Sequence, residues 1–338
     1  MTTKEEMQQI LNSEVTLPAH AEKGSLEGAP EGSFEMSPQC VTFPTALDNT
    51  IISTFRACPH KAFRQYLQHL ATTTTSIHLT AGGAFAAGLE TARNSFYLGK
   101  KSAEASLLDG VRALLKEWGD ADPAWDHTTK SLDKMVLAMV EALQVWPLGA
   151  DWLEPFEYGA RNGVEFSFAV ELPVRHPVSD DPILYTGRID LLGVMHGALF
   201  CEDDKTTAQL GPQWIKSWDL RSQFTGYAYA MRELGLPCAG TVVRGVSPQK
   251  YMTKTSEAVV YQPDWKIDRW LKQTVRDIEK MKQCWAEGWW DYNLGDTCNA
   301  FGGCVFKDLC NSPQPEAWIR SNFVRRVWDP LGVKMGGE

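Results

Sequence analysis

Three consecutive stretches between residues 164 and 206 constrain the fold more than any other part of the sequence. They are rich in β-branched, aromatic and aliphatic residues, and turn residues separate them. Their sequences are VEFSFAVELPV (164–174), ILYTGRIDLLGVM (183–195) and ALFCEDDKT (198–206). We predict that they form three antiparallel strands in succession.

Helical patterns lie on both sides of these strands. The first helix is expected to begin with Ser53 as its N-cap, and Pro59 should sit in its first turns or kink it. A further strand is predicted at GTVVRGVSP (240–248). Apolar residues with helical spacing predict further helices at about 82–98, 103–118, 129–146, 212–235 and 264–288.

The composition, 43% hydrophobic and 22% charged, is typical of a globular protein. No apolar run approaches the roughly 20 residues that a membrane-spanning helix needs. The opening residues MTTKEEMQQILNSE lack the basic-then-apolar layout of a secretory signal. We therefore expect a cytoplasmic protein without membrane contacts. The net charge of −9 argues against coating nucleic acid by bulk electrostatics, but it is compatible with a local basic groove.

The second and third strands carry charges that need a partner. If residues 196–197 form a two-residue turn, Asp190 lies directly opposite Asp203. Directly opposed residues have Cβ atoms about 4.5–5.5 Å apart, a separation from which two carboxylates can bind one cation. Because side chains alternate along a strand, Asp203 and Lys205 share a face and Asp204 points away.

A divalent cation is one partner that would explain the charged side chains of this hairpin. Without a cation the carboxylates would repel each other, whereas Mg²⁺ or Mn²⁺ would bind their oxygens and leave positions for water and phosphate. Lys205 would then orient an attacking water or stabilise charge that develops on the phosphate. The alternative is a surface hairpin whose Asp and Lys side chains are solvated.

The order of the surrounding motifs favours the metal site. Gly187 and Asp190 form G-x-x-D, a strand-length gap leads to D-x-K-T at residues 203–206, and Gln223 and Tyr227 follow in a predicted helix. This arrangement resembles the RecB-like branch of the PD-(D/E)XK nucleases, from about Ile51 to Cys310. The resemblance implies an α/β (α+β) fold with a restriction-endonuclease-like core, in which helices flank a mainly antiparallel or mixed central sheet.

The resemblance also implies roles for individual residues. Asp190 and Asp203 would bind the catalytic metal, together with the backbone carbonyl of Asp204, and Lys205 would assist the water. Two further residues, Gln223 and Tyr227, lie one helical turn apart and would contact DNA or support the lysine. An alternative for this pair is a core tyrosine with a hydrogen-bonded glutamine.

One position departs from the family pattern. RecB-like nucleases usually carry a metal-binding histidine in a G-x-x-x-H-x-x-L-E motif, whereas the comparable stretch GGAFAAGLE has Ala86 at the histidine position. Glu90 and Glu165 are the carboxylates that could complete the metal site, and either could equally be an ordinary structural or surface glutamate.

Three cysteines near the C-terminus form a second motif, CNAFGGCVFKDLC. Cys298, Cys304 and Cys310 are each separated by five residues, a poor match to zinc motifs. With Cys58 far upstream, they resemble the iron-sulfur cluster of AddB and of RecB-like nucleases of CRISPR adaptation, which implies a 4Fe-4S cluster that staples the chain. The alternative is buried or free thiols. The remaining cysteines are expected to be packing or incidental thiols: Cys40, Cys201, Cys238 and Cys284.

Composition and the resemblance together predict a three-part organisation. Residues 1–47, with seven Glu and two Lys, would be a flexible acidic tail, residues 48–312 the nuclease domain and residues 313–338 a C-terminal tail. Within the domain, a helical insertion is expected at about 100–150.

The leading hypothesis is an Mg²⁺- or Mn²⁺-dependent deoxyribonuclease that acts on single strands or DNA ends in recombination or repair, as suits a phage or mobile element. No Walker loop is present in the sequence, so unwinding would need a helicase or recombinase partner. The alternatives are a catalytically impaired iron-sulfur subunit that binds DNA and a nuclease that acts on RNA. Candidates for phosphate contacts are basic residues along the chain: Lys61, Arg64, Lys216, Arg221, Arg244, Lys250, Arg320, Arg325 and Arg326.

Overall fold

The structure is a computed structural model. It describes residues 41–73, 76–120, 123–158, 161–300 and 303–331. Most of the predicted acidic tail, with Cys40, lies outside these residues. Within them, no helix has the length and the apolar character that crossing a membrane would require.

The centre of the fold is a mixed sheet. In chain order the strands are β1 Ala46–Asp48, β2 Leu70–Thr72, β3 Glu154–Pro155, β4 Glu157–Tyr158, β5 Arg161–Asn162, β6 Val164–Arg175, β7 Pro182–Met195, β8 Ala198–Thr206, β9 Cys238–Pro248, β10 Thr253–Tyr261 and β11 Phe323–Arg325. The main sheet has the order β1-β7-β8-β9-β10, and β3 and β6 also pair with β7. The β1–β7 and β8–β9 pairs are parallel, and the other pairs of this sheet are antiparallel. The three strands predicted between 164 and 206 are confirmed as β6, β7 and β8.

The turn between β7 and β8 fixes the register of the hairpin. His196 and Gly197 both have positive φ, 49° and 79°, as a type I′ turn requires. The ladder then pairs Met195 with Ala198 and continues to Leu191 opposite Glu202. The predicted register is therefore confirmed as far as that pair.

The ladder stops one residue before the predicted pair of Asp190 and Asp203. On the other side of β7, β6 is irregular at the same level, because Glu165 has a positive φ of 52°. Val164 pairs with Leu191 and Phe166 with Ile189, so Glu165 lies level with Asp190 although no pairing forms there. Asp190 therefore lies at a position where neither β6 nor β8 pairs with β7.

Helices cover both faces of the sheet. Their bounds are α1 Asn49–Ala57, α2 Pro59–Ala62, α3 Ile77–Tyr97, α4 Ala103–Trp118, α5 Leu132–Val145, α6 Pro212–Lys216, α7 Ser222–Glu233, α8 Asp264–Glu287, α9 Lys307–Asn311 and α10 Pro315–Asn322. The first helix begins earlier than predicted, because the Asp48 side chain caps it by accepting the N–H of Ile51. Cys58 is extended, and Pro59 starts α2 rather than kinking a continuous helix.

Two apolar clusters show how the helices are layered. Ile189 and Val243 of the sheet pack in one cluster with Phe224 of α7 and Ile278 of α8. On the other face, Val246 packs with residues of α3, α4 and α5. The fold is therefore the predicted α/β (α+β) architecture, a central mixed sheet flanked by helices, and it is consistent with a restriction-endonuclease-like core.

The two predicted tail boundaries need correction within the described residues. Phe43 and Leu47 are only 1% and 0% exposed, so residues 41–47 belong to the core rather than to a flexible tail. At the other end β11 pairs with β2, and the backbone carbonyl of Pro330 accepts a hydrogen bond from Thr186. Backbone pairing and apolar packing, which composition does not reveal, hold both segments.

Candidate functional site

Strand β8 carries charged residues on both of its faces. Asp203 and Lys205 lie on the face toward α7, which we call the open face. Glu202 and Asp204 lie on the face toward α3, which we call the sealed face. The predicted division of Asp203 and Lys205 from Asp204 is thus observed.

On the open face, a chain of polar contacts holds Asp203. Its Oδ1 accepts a hydrogen bond of 3.1 Å from Gln223 Nε2, and its Oδ2 forms an ion pair with Lys205 Nζ. Gln223 also donates to the Tyr227 hydroxyl, which in turn donates to the Arg188 carbonyl at 2.9 Å. The predicted Gln223 and Tyr227 pair therefore links α7 to the acidic residue and to β7.

Asp190 lies beside this chain of contacts, at the irregularity of β7. Its Oδ2 accepts the backbone N–H of Asp204 at 2.8 Å. The carboxylate therefore replaces a ladder acceptor, and the two strands are joined at this level through a side chain instead of the backbone. Because of this, Asp190 and Asp204 meet without the direct Asp190–Asp203 pairing that the sequence predicted.

The two glutamates proposed to replace the missing histidine are both close to this cluster. Glu165 is level with Asp190 in the sheet and forms an ion pair with Arg188. Glu90 lies on α3 and its charge acts on Glu165. Ala86 lies one helical turn before Glu90 on the same helix.

Burial and mutual repulsion shift the pKa values of this cluster. Burial, reinforced by the charge of Asp203, raises the pKa of Asp190 to about 7. Burial, reinforced by Asp190, raises the pKa of Glu165 to about 8. Burial also raises the pKa of Asp203 against the opposing effect of Lys205. For Lys205 itself, burial favours the neutral amine, but the charges of Asp203 and Asp190 outweigh it and raise its pKa.

On the sealed face, two buried arginines bind the acidic residues. Arg93 of α3 donates to Glu202 Oε1 and to Asp204 Oδ2, each at 2.8 Å. Arg244 of β9 binds both oxygens of Asp151 at 2.6 and 2.9 Å and also pairs with Glu202. Glu202 is completely buried, and burial raises its pKa to about 8 although Arg93 and Arg244 oppose that shift.

Three functional neighbours were missed in the sequence: Arg93, Arg188 and Glu202. Arg93 follows Glu90 by three positions, and this spacing could have placed it on the face of α3 that meets the acidic strand. Glu202 directly precedes D-x-K, and alternation alone puts it with Asp204. No comparable signal in the sequence singles out Arg188.

The donor set of the open face suits Mg²⁺ or Mn²⁺. Mg²⁺ is usually bound by one or two carboxylates together with water and substrate phosphate, and Asp190 and Asp203 with a nearby backbone carbonyl supply such oxygens. Asp203 Oδ2 is buried, and its partner among the described residues is the Lys205 ammonium. Nowhere in the described part of the chain are three or more His, Cys, Asp or Glu side chains grouped so that they could hold a metal ion.

The four cysteines predicted to bind the cluster lie in one region of the structure, although Cys58 is far from the other three in the sequence. Burial, and then the charges of Cys304, Cys58 and Cys298, raise the pKa of Cys310. Cys58 lies at the α1–α2 junction, where Asn293 donates to the Ala57 carbonyl at 2.6 Å. The four thiols are therefore neighbours, but the described residues do not set three of them out in metal-binding geometry.

The candidate phosphate-binding residues divide into two groups. Arg244 is excluded, because it is 0% exposed and its guanidinium binds Asp151, Glu202 and Glu257. Lys61 and Arg64 are half-buried. The others are exposed: Lys216, Arg221, Lys250, Arg320, Arg325 and Arg326. Among the exposed residues, Arg221 lies just before α7, and its charge acts on Asp203.

Comparisons with known proteins give a family and two similar structures. The sequence matches the PD-(D/E)XK nuclease superfamily over residues 49–311. The chain is similar to a structure described as a "Putative exonuclease" from Eubacterium rectale, with 12% identity, a TM-score of 0.45 and coverage of 76% of this chain and 88% of that chain. It is also similar to SSO0001, with 11% identity, a TM-score of 0.26 and coverage of 69% and 84%. Comparison with curated proteins gives no match.

Proposed function

Because the chain belongs to the PD-(D/E)XK nuclease superfamily, we propose that it is a metal-dependent deoxyribonuclease that hydrolyses phosphodiester bonds. Its substrates would be single strands or DNA ends, in recombination or repair. The observation that supports this most is the open face, where Asp190, Asp203 and Lys205 lie together with α7 side chains behind them. A helicase or recombinase would supply unwinding.

The residues of the open face divide the chemistry among themselves. Asp190, Asp203 and the Asp204 carbonyl would hold Mg²⁺ or Mn²⁺, with Glu165 or Glu90 completing the set. The bound ion supplies positive charge that polarises the phosphate and activates water. Lys205, charged because Asp203 and Asp190 raise its pKa, would orient the attacking water and stabilise developing negative charge.

Two further side chains keep Lys205 and Asp203 in place. Gln223 fixes the Asp203 carboxylate through Oδ1, which leaves Oδ2 directed at Lys205. Tyr227 anchors Gln223 to the Arg188 carbonyl, and burial raises its pKa well above the ordinary value, so its hydroxyl stays a neutral donor. Gln223 and Tyr227 would therefore act as positioning residues.

The test is cleavage of end-labelled single- and double-stranded DNA and RNA by anaerobically purified protein, with Mg²⁺ or Mn²⁺, beside Asp203→Ala. We expect DNA cleavage by the wild type, progressive shortening from one end, and loss of cleavage in the variant. Wild-type protein that binds DNA but never cuts it would replace this proposal with the DNA-binding subunit, and preferential cutting of RNA would change the substrate.

We also propose that Cys58, Cys298, Cys304 and Cys310 bind a 4Fe-4S cluster, which needs four thiolates. The support is that all four thiols lie in one region although Cys58 precedes the others by most of the domain. The cluster would staple the α1–α2 junction to the segment around α9, and so restrain a long loop of chain.

This cofactor is tested by iron and sulfide analysis of protein purified without oxygen. Wild type should be coloured and contain iron, and Cys304→Ser should lose both iron and stability. Cys284→Ala is the matched control, because Cys284 is buried in the apolar core and is not one of the four predicted cluster cysteines. Wild-type protein that is colourless and free of iron would overturn the cluster proposal. The nuclease proposal would still be tested separately by the cleavage assay.

A further inference from the structure

Lys130 is a buried cation without a buried anion. It lies just before α5 and is only 7% exposed. Among the described residues it forms no ion pair, and its Nζ contacts Thr206 Oγ1 at 3.5 Å. Burial lowers its pKa, and no described charge opposes that shift. An ammonium in such a place is costly to the folded protein unless an anion joins it.

The described neighbour of the Lys130 ammonium is a hydroxyl group on β8. Thr206 directly follows Lys205 on β8 and is half-buried, and strand alternation places its side chain on the face toward α3, as it does that of Asp204. Across from it, α3 carries Gly82, where an added Cβ would meet Thr206 Oγ1 at 3.9 Å and nothing nearer. A glycine here lets a ligand approach the helix closely.

Lys134, the nearest lysine in sequence, has an ordinary hydrogen-bond partner for its ammonium group. It is half-buried, and its Nζ donates to the Thr128 carbonyl at 2.9 Å. Lys130 has only the long contact to a hydroxyl, which can itself donate to an anion. The two lysines therefore form a matched pair that differs in whether the ammonium is satisfied.

We propose that Lys130 and Thr206, beside Gly82 of α3, bind a phosphate group of the nucleic-acid strand other than the one that Lys205 acts on. The inference rests on the proposed function for the identity of the anion. Lys130 supplies a compact cation with three donors, and Thr206 supplies a hydroxyl donor. The site would help to hold the strand in register.

The test is binding of a fluorescent oligothymidylate in EDTA, so that no cleavage occurs. The proteins are Lys205→Ala alone and with Lys130→Met or Lys134→Met added, and the strands carry a 5′-phosphate, a 3′-phosphate or hydroxyl ends. Lys130→Met should weaken binding about tenfold, the effect of one charge-assisted hydrogen bond. It should also reduce the slope of log K against log salt by about 0.7, whereas Lys134→Met changes neither.

The strand ends identify which phosphate is bound. Weakening restricted to one phosphorylated end means that a terminal phosphate occupies the site, and equal weakening for all strands means an internal phosphodiester. Unchanged affinity and salt slope in Lys130→Met would overturn the proposal.

Stability separates this binding role from a structural one. Lys130→Met should unfold at the same or a higher temperature, because it removes an unpaired buried charge. Should that variant fail to fold, Thr206→Val replaces it and must weaken binding without lowering the unfolding temperature. If wild-type protein never cuts but the binding depends on Lys130, the proposed nuclease function is refuted and the phosphate site is kept. If the protein cuts but the binding does not depend on Lys130, the phosphate site is refuted and the nuclease function is kept.

Discussion

The acidic residues on the two faces of β8 are bound by different kinds of cation. On the sealed face, the side chains of Arg93 and Arg244 are 8% and 1% exposed and bind their carboxylates through planar guanidinium groups. On the open face, the side chain of Lys205 is 33% exposed, and the side chain of Arg188, which pairs with Glu165, is 36% exposed. One face is thus closed by fixed cations, and the other has a cation that reaches solvent.

This difference separates structural acids from acids available to a ligand. A buried arginine fork holds its carboxylates in one geometry, so Glu202 and Asp204 tie α3 to the sheet. Lys205 is a flexible point charge, so it can turn away from Asp203 when a divalent cation arrives. Adjacent residues of one strand therefore serve the fold and the chemistry separately.

The largest expected effect is on the sealed face. Arg93→Ala leaves Glu202 and Asp204 buried without their cation and should reduce the free energy of unfolding by about 3–5 kcal/mol. Arg188→Ala, which removes a partly exposed cation, should cost less than about 1 kcal/mol. Urea unfolding measures both, and equal costs would break the distinction between buried and partly exposed cations.

The second-largest expected effect is a loss of cleavage activity when an open-face residue is replaced. Lys205→Ala should lower the cleavage rate about 10²–10³-fold, because a charge beside the developing negative charge is removed. DNA affinity and unfolding temperature should change little, since Lys205 reaches solvent. Unaltered turnover in this variant would remove Lys205 from the mechanism.

The pH dependence of stability follows from the buried acids with raised pKa values. Their folded-state pKa values, about 7 for Asp190 and about 8 for Glu165 and Glu202, exceed those of the unfolded chain, so the folded protein binds extra protons. Their contribution to stability is full below the unfolded pKa, falls as pH rises and is lost above about pH 8.

In EDTA, the unfolding temperature should therefore fall between about pH 5 and pH 8.5. Mg²⁺ should stabilise the protein more at the upper end of this range, where the acids are ionised and available to bind it. Asp190→Asn serves as the control, because the slope in EDTA should flatten. A stabilisation by Mg²⁺ that is the same at both ends would contradict the cation role of these carboxylates.

The smallest expected effect concerns Glu165 and Glu90, and it distinguishes them as possible metal ligands. Glu165→Gln should raise the Mg²⁺ concentration for half-maximal cleavage about tenfold, because Glu165 lies level with Asp190 in the sheet. Glu90→Gln should raise it less, since Glu90 reaches the cluster from α3. A larger effect of Glu90 would make it the residue that replaces the histidine missing at Ala86.

The strands, most helices and the open face could be predicted because they depend on local patterns. Alternation alone separates Asp203 from Asp204, and the turn at residues 196–197 sets the register. The break at Asp190 could not be predicted, since it depends on the positive φ of Glu165 on another strand. Nor could the burial of Arg244, which the sequence predicts as a phosphate contact, because its partners Asp151 and Glu257 come from other segments of the chain.

The most direct test measures Mn²⁺ binding to the metal-free Asp203→Asn and Asp204→Asn variants, with electron paramagnetic resonance as the detection method. These variants make the same change at adjacent positions on opposite faces. Asp203→Asn should lose Mn²⁺ binding and stay stable, whereas Asp204→Asn keeps its backbone carbonyl, should still bind Mn²⁺ and should lose stability through Arg93. Equal loss of Mn²⁺ binding in both, or none in either, would contradict the account.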